Sequence, residues 1–399
     1  MSPRDLKNTP LPLYQTPTLA DIAQLDYDLY HRNSSTFVLD PALTRSIVSF
    51  QANKSEPAYR WYKFKEAFSA SLVDRLLSRY SIISGTLLDP FAGIGTSLFA
   101  ASASGVDAHG IELLPIGQQV IATRLSLQQE SCEESSAALH RWLTTRPWHQ
   151  SPPTSPIPTL RITDGAYPPE TTAAIQRYLT ASQSEPAQVQ AGLRLALLCV
   201  LESVSFTRKD GQYLRWDHRS GRRQGARPFD KGPILPFDRA IAAKLKEIHT
   251  DLQSCHHPTT LFPSTTPLGA VTLLKGSCLD IMPTLPATHY EAIFTSPPYC
   301  NRYDYTRTYA LELAILGVNE SAIADLRQQM LSCTVENRPK DLLAINPAWH
   351  HAITAADDHQ LLQAILTYLE NQEGIPGTHT LILRRGGRRE SHRFSVRQP

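Results

Sequence analysis

Charge is scarce in this sequence, and neither sign dominates. Only 19% of the 399 residues are Asp, Glu, Lys or Arg, and they sum to a formal net charge of +2. A polycation that coats nucleic acid over its whole surface is excluded, so any such surface has to be local. Cysteine is also sparse: six residues, at 132, 199, 255, 278, 300 and 333, with no Cys-x-x-Cys pair. This argues against a zinc ribbon or a disulfide scaffold and fits reduced thiols in a cytoplasmic protein. Cys255-His256-His257 has no second cluster at ligand spacing, so no metal is expected. No run reaches the roughly 18 apolar residues of a membrane span. The first residues, Met1 to Lys7, have no apolar core behind their charges, which argues against a secretory signal. Against these shortages stand 30 prolines, which imply many loops. The length allows one elaborated domain or two.

Two stretches carry chemistry. Thr295-Ser296-Pro297-Pro298-Tyr299 follows a short apolar run, Tyr290 to Phe294, that reads as a buried strand. Neither proline has an N–H to give, so the strand must end there. Ser296 and Tyr299 are then displayed at its carboxyl edge, where ligands sit in open α/β sheets. Taken alone, these residues read more readily as an ordinary strand-ending turn. The second stretch is Thr86-Leu87-Leu88-Asp89-Pro90-Phe91-Ala92-Gly93-Ile94-Gly95-Thr96. An apolar run leads into a Gly-x-Gly turn, and a helix starts at Ser97. Val106 to Glu112 is a second short strand ending in an acid, and a carboxylate placed so can accept both hydroxyls of a ribose. The third glycine of the dinucleotide fingerprint is missing, which disfavours an oxidoreductase.

Asp89-Pro-Phe-Ala-Gly-Ile-Gly-Thr together with Ser-Pro-Pro-Tyr resembles the S-adenosylmethionine-dependent amino-methyltransferases of DNA. The serine form of the tetrad looks most like the cytosine-N4 branch; the adenine-N6 branch more often has Asp or Asn there. The resemblance implies an α/β fold, a Rossmann-like class I methyltransferase sheet with helices on both faces. It implies S-adenosylmethionine as cofactor and double-stranded DNA with a flipped target base as partner. Cofactor contacts are expected from Phe64, Asp89, Phe91, Gly93, Gly95, Thr96, Glu112 and Ser277, and catalysis from Ser296, Pro297, Pro298 and Tyr299. Ser277 departs from the Gly-Asp that family members commonly carry at this turn, with Asp280 one helical turn on. An exocyclic amino group is a poor nucleophile, because its lone pair is delocalised into the base. The Ser296 hydroxyl and the Pro297 carbonyl can accept its two N–H bonds, which favours a tetrahedral nitrogen, while the base stacks on Tyr299. No metal or covalent nucleophile is required. Cys300 would suit carbon-5 chemistry, for which nothing else speaks.

Spacing orders the chain. Strands are expected near 86–89, 107–112, 271–276 and 290–295, in a catalytic domain of residues 59–124 and 269–399. Residues 1–58 form an extension, and 125–268 an insertion that reads the target. Within it, Phe206 to Lys231 holds eight cations against three acids, interleaved with Phe206, Tyr213, Trp216 and Phe229. Lys and Arg neutralise phosphates, and Arg forks or aromatics read bases. Arg208, Lys209, Arg215, Trp216, Arg219 and Arg222 are the nucleic-acid candidates, joined by Arg302 and Tyr303 beside the tetrad. Ser69 is the expected N-cap of a helix with Leu72, Val73, Leu76 and Leu77 on one face. Short helices are expected near 19–25 and 40–48, and longer ones over 113–143, with a break near Pro115, and over 187–203, 238–253, 320–333 and 358–371. After Tyr299 only Thr378 to Arg384 reads as a strand. The last sixteen residues hold six arginines and one acid, without periodicity. The expectation is a truncated or frameshifted product whose sheet lacks its final strands. Competing functions are adenine-N6 or RNA-base methylation on the same fold, and an inactive nucleic-acid-binding remnant. A restriction endonuclease acting separately is an expected associate.

Overall fold

The computed structural model describes residues 16–36, 40–129, 132–210, 213–225, 227–256, 267–298, 303–331 and 340–371. Among them are six strands: β1 (Thr86–Asp89), β2 (Asp107–Glu112), β3 (Thr207–Lys209), β4 (Leu214–Trp216), β5 (Val271–Lys275) and β6 (Ala292–Ile293). Four of these form one parallel sheet in the order β5-β2-β1-β6. Leu87 of β1 sits between Ala108 of β2 and Ala292 of β6. Parallel strands are covered on both faces and so read as apolar runs; Leu87 and Leu88 are buried accordingly. β2 and β5 pair along five residues, from Ala108↔Val271 to Glu112↔Lys275, although residues 113–270 lie between them in the chain. The Rossmann-like α/β expectation holds. The third and fourth strands are shorter than expected, ending at Lys275 and Ile293.

The helix Thr96–Ala103 returns the chain from β1 to β2. It lies close on the sheet because β2 carries glycine at 110: a Cβ there would stand 2.5 Å from a Leu98 methyl and 2.9 Å from the Ala92 Cβ. The helix Ala70–Arg79 is capped by the Ser69 hydroxyl, which accepts from the Leu72 N–H, and it buries Val73 and Leu77. One core cluster gathers these residues with Leu87, Leu98, Phe99, Val106 and Ile121. A larger one joins Trp61, Tyr62 and Phe64 to the helices Ala187–Val204, Phe237–His256 and Ala310–Ile315. Ala187–Val204 is long and apolar enough, by length and composition, to cross a membrane, but Gln188, Gln190, Arg194 and Glu202 interrupt its apolar run, and Leu193, Leu195, Leu197, Leu198 and Leu201 are buried in this core. Pro115 begins the helix Pro115–Gln129 rather than breaking one, since its missing N–H costs nothing in a first turn.

The chain divides into two compact units, one spanning 41–337 and the other combining residues on either side of it. The sheet and both cores belong to the first. In the second, the helix Leu19–Asn33 starts on a capping box between Thr18 and Asp21 and packs with the helix Gln360–Glu370. The helix expected near 40–48 is a run of turns. Its Leu43 and Val48 stay 38% and 48% exposed, and a short helix without a packed face is not stable. The segment after Glu373 read as a strand and an arginine-rich tail lies outside the described residues.

Candidate active site

The sheet order places a topological switch between β1 and β6. From β1 the chain moves outward to β2 and β5, then returns to the other side of β1 as β6. Such a point leaves a crevice at the carboxyl ends of the two strands. The glycine turn leaves β1 there, and Ser296-Pro297-Pro298 leaves β6. Together they line a cleft of about 460 Å³ with Phe64, Phe91, Gly93, Thr96, Glu112, Ser277 and Tyr303. That size lies in the range of small-molecule sites.

The glycine turn is held by its neighbours. Gly93 and Gly95 take φ of +56° and +80°, which side chains disfavour. The Glu112 carboxylate grips the turn from β2: one oxygen accepts from the Gly93 N–H at 2.7 Å, the other from the Leu114 N–H at 2.6 Å. Burial pushes the Glu112 carboxyl up to about 8, against the pull of these donors. When ionised, each oxygen keeps a second lone pair, so the carboxylate form can still accept both hydroxyls of a ribose. Thr96 is buried in the wall, and its hydroxyl has no hydrogen-bond partner among the described residues. Orphaned buried hydroxyls are costly, and a polar ligand in the cleft would satisfy this one. These residues fit a nucleoside-bearing cofactor.

Asp89 and Gly95 stand behind the wall rather than in it. Asp89 accepts from the Phe91 N–H at 3.0 Å and from the Ser97 hydroxyl. The Thr295 side chain also bonds to it, tying the glycine turn to the residue before Ser296; burial raises the Asp89 carboxyl to about 6. Ser277 caps the short helix Cys278–Ile281 and donates to the Gln329 carbonyl at 2.9 Å. Asp280 is exposed and does not line the cleft. Ser296 and Pro298 are half-buried and Pro297 is exposed. Tyr299 and Arg302 lie outside the described residues. Glu66, Met330 and Leu331 also line the cleft and were not singled out from sequence. Glu66 lies two residues after the expected cofactor contact Phe64; Met330 and Leu331 carry no local signal.

The basic stretch folds around the antiparallel pair β3–β4. Arg208, in the middle of β3 opposite Arg215, is exposed. Arg215 stacks over the Phe229 ring at 4.1 Å and Arg222 over the Trp216 ring at 3.5 Å. Arg222 also donates to the Asp164 carbonyl at 2.5 Å. Arg219 is partly occupied in holding its own loop: it pairs with the buried Asp217 at 2.6 Å and donates to the Gly232 carbonyl. Lys209 points the other way. Its side chain is 5% exposed, and its ammonium donates to Glu312 at 2.5 Å and to the Tyr62 hydroxyl at 3.2 Å. Asp217, His218 and Asp230 bring ligand atoms within 4.8 Å of one another, yet Asp217 is already spent on Arg219 and the Lys231 N–H.

No protein-family model matches the chain, and no solved structure does. Curated relatives do. The chain is 48% identical over 386 residues to the Type II methyltransferase M.AvaI of Nostoc sp. (strain PCC 7120 / SAG 25.82 / UTEX 2576), across 94% of this chain and 79% of that protein. The same figures hold for the protein of that name from Anabaena variabilis. The Type II methyltransferase M.BsoBI of Geobacillus stearothermophilus is 36% identical over 312 residues, across 74% of this chain and 60% of its own length.

Proposed function

The chain belongs to the type II DNA methyltransferases, and from that premise we propose that it transfers a methyl group from S-adenosylmethionine to the N4 amino group of cytosine in duplex DNA. One observation carries the reading: Ser296, Pro297 and Pro298 share a single cleft with the glycine turn and Glu112. Bound there, the cofactor supplies an electrophilic methyl on a sulfonium. Glu112 receives the ribose, Thr96 a polar group of the cofactor, and Phe64 covers the turn at Gly93. The Ser296 hydroxyl and the Pro297 carbonyl accept the two N–H bonds of the target amine and free its lone pair for attack. Held in line with the methyl, the amine needs mainly positioning. Tyr299 gives the flipped base a stacking face, whose cost is a few kcal/mol of lost stacking and pairing.

Arg208, Arg215 and Trp216 on the hairpin, Arg219 and Arg222 in the loop after it, and Arg302 and Tyr303 near the tetrad contact the DNA. Lys209 is left out of this set because its charge is spent inside. Residues 125–268 read the sequence, 59–124 and 269–399 perform the reaction, and 1–58 extend it. The protein works in the cytoplasm, beside a restriction endonuclease that acts separately. Nucleoside mass analysis of DNA methylated by the purified protein tests the reading. N4-methylcytosine is expected; N6-methyladenine would replace the cytosine assignment, and no methylated base would remove the enzymatic one.

A further inference from the structure

We propose that Glu66 is a positioning residue that holds the cofactor end and the target end of the cleft in register. The inference rests on the methyl-transfer reading. Glu66 lines the cleft, and its two carboxylate oxygens hold two different phenols. One accepts from the Tyr309 hydroxyl at 2.5 Å, the other from the Tyr303 hydroxyl.

The two rings serve opposite ends. Tyr309 is fully buried, and its ring stacks on Phe64 with centroids 5.2 Å apart and planes 11° off parallel. Phe64 in turn lies against the glycine turn, where a Cβ on Gly93 would come within 3.4 Å of its ring. Tyr309 thus backs the wall of the cofactor end. The Lys209 ammonium supports it from behind, 4.4 Å from the ring centroid. Tyr303 lines the cleft shortly after Ser296-Pro297-Pro298. Its hydroxyl bonds to Glu66 and also to the Thr308 side chain. With that hydroxyl spent, the ring is what Tyr303 has left for a ligand, and the Tyr305 ring stands 4.8 Å away. An extruded base needs such a face. A single carboxylate therefore fixes the ring behind the cofactor wall and the ring at the target side. Neither end can shift without straining a bond to the other.

The test uses the full chain and four variants: Glu66→Ala, Glu66→Gln, Tyr303→Phe and Tyr309→Phe. Cofactor affinity is read by calorimetry with S-adenosylmethionine alone. Turnover is read as labelled methyl transfer to DNA containing the site that the wild type modifies. Tyr309→Phe is expected to weaken cofactor binding about fivefold, the size of one lost hydrogen bond, with kcat nearly unchanged. Tyr303→Phe is expected to lower kcat by about the same factor with cofactor affinity unchanged. Glu66→Ala should do both, and Glu66→Gln should recover most of each, since its amide can still bond both phenols. A residue that merely supported the fold would lower the melting temperature without splitting these quantities. The proposal is overturned if Glu66→Ala leaves both within about twofold, or if the two tyrosine variants give one and the same profile. Should Glu66→Ala fail to fold, the tyrosine pair alone decides. A wild type that transfers no methyl group removes the functional reading and this inference with it; a wild type that does, with unsplit variants, removes the inference alone.

Discussion

Replacing Lys209 by methionine separates a cation that binds DNA from one that holds the core. Lys209 was a nucleic-acid candidate by composition, but its side chain is 5% exposed and that of its partner Glu312 is 1% exposed. The ammonium donates to Glu312 and Tyr62 and lies against the Tyr309 ring. Lys209→Met fills a similar volume but leaves a buried carboxylate without its cation, though the Tyr62 hydroxyl still donates to it at 3.0 Å, and Glu312 Oε2 already has no hydrogen-bond partner among the described residues. Breaking one side of a buried pair costs about 3–5 kcal/mol, a large share of the stability of a folded domain. Urea unfolding followed by tryptophan fluorescence should show that loss as a lower midpoint. Adding Glu312→Leu should restore much of it, because the pair as a whole adds little beyond a well-packed apolar core. The salt dependence of DNA binding gives the second readout. Each phosphate contact adds about 0.9 to the slope of log K against log salt. Lys209→Met, measured below its melting range, should leave the slope unchanged, whereas Arg208→Ala should reduce it by about one contact. A Lys209 variant of normal stability with a reduced slope would refute the reasoning.

Other outcomes follow from the cleft. Gly95→Ala puts a Cβ at φ +80°, within 2.9 Å of Ile121 and 3.0 Å of Phe99; a loss of about 1–3 kcal/mol is expected in urea unfolding, with weaker cofactor binding by calorimetry. Glu112 has its carboxyl raised from 4.5 to about 8 by burial. The folded state therefore holds this proton more tightly than the unfolded chain. That contribution to stability is complete below pH 4.5 and fades as pH rises towards 8. Glu112→Gln should gain on the wild type between pH 5 and pH 8.5, roughly where this carboxyl titrates, and unfolding at the two pH values checks it. Ser296→Ala should lower kcat by about a hundredfold if its hydroxyl accepts from the amine only as the nitrogen becomes tetrahedral, while calorimetry finds cofactor affinity unchanged.

The parts of this site legible in the sequence are those fixed by local chemistry. Leu87 and Leu88 mark a strand by burial on both faces, the glycines mark a turn of positive φ, and the two prolines mark where β6 must stop. That strands on either side of residues 113–270 belong to one sheet was legible because each strand announces itself separately; that β2 and β5 lie side by side in it was not. Pairings decided by distant residues were not. The acid that takes Lys209 inward lies 103 positions along the chain, so composition grouped that lysine with its exposed neighbours. Asp251, buried, collects the Trp61 indole at 2.8 Å and the Arg60 guanidinium from 190 residues away; nothing near it in sequence hints at this. Glu66 shares the difficulty, since its partners Tyr303 and Tyr309 come from beyond β6. The β3–β4 hairpin has only three residues per strand, too few for an alternation to stand out.

The central claim is that one cleft holds the methyl donor against the Ser-Pro-Pro turn. A crystal structure with a non-reactive analogue of S-adenosylmethionine tests it most directly. The ribose is predicted on Glu112, and the group standing in for the methyl between Gly93 and Ser296. An analogue bound elsewhere, touching neither Glu112 nor the glycine turn, would contradict the account.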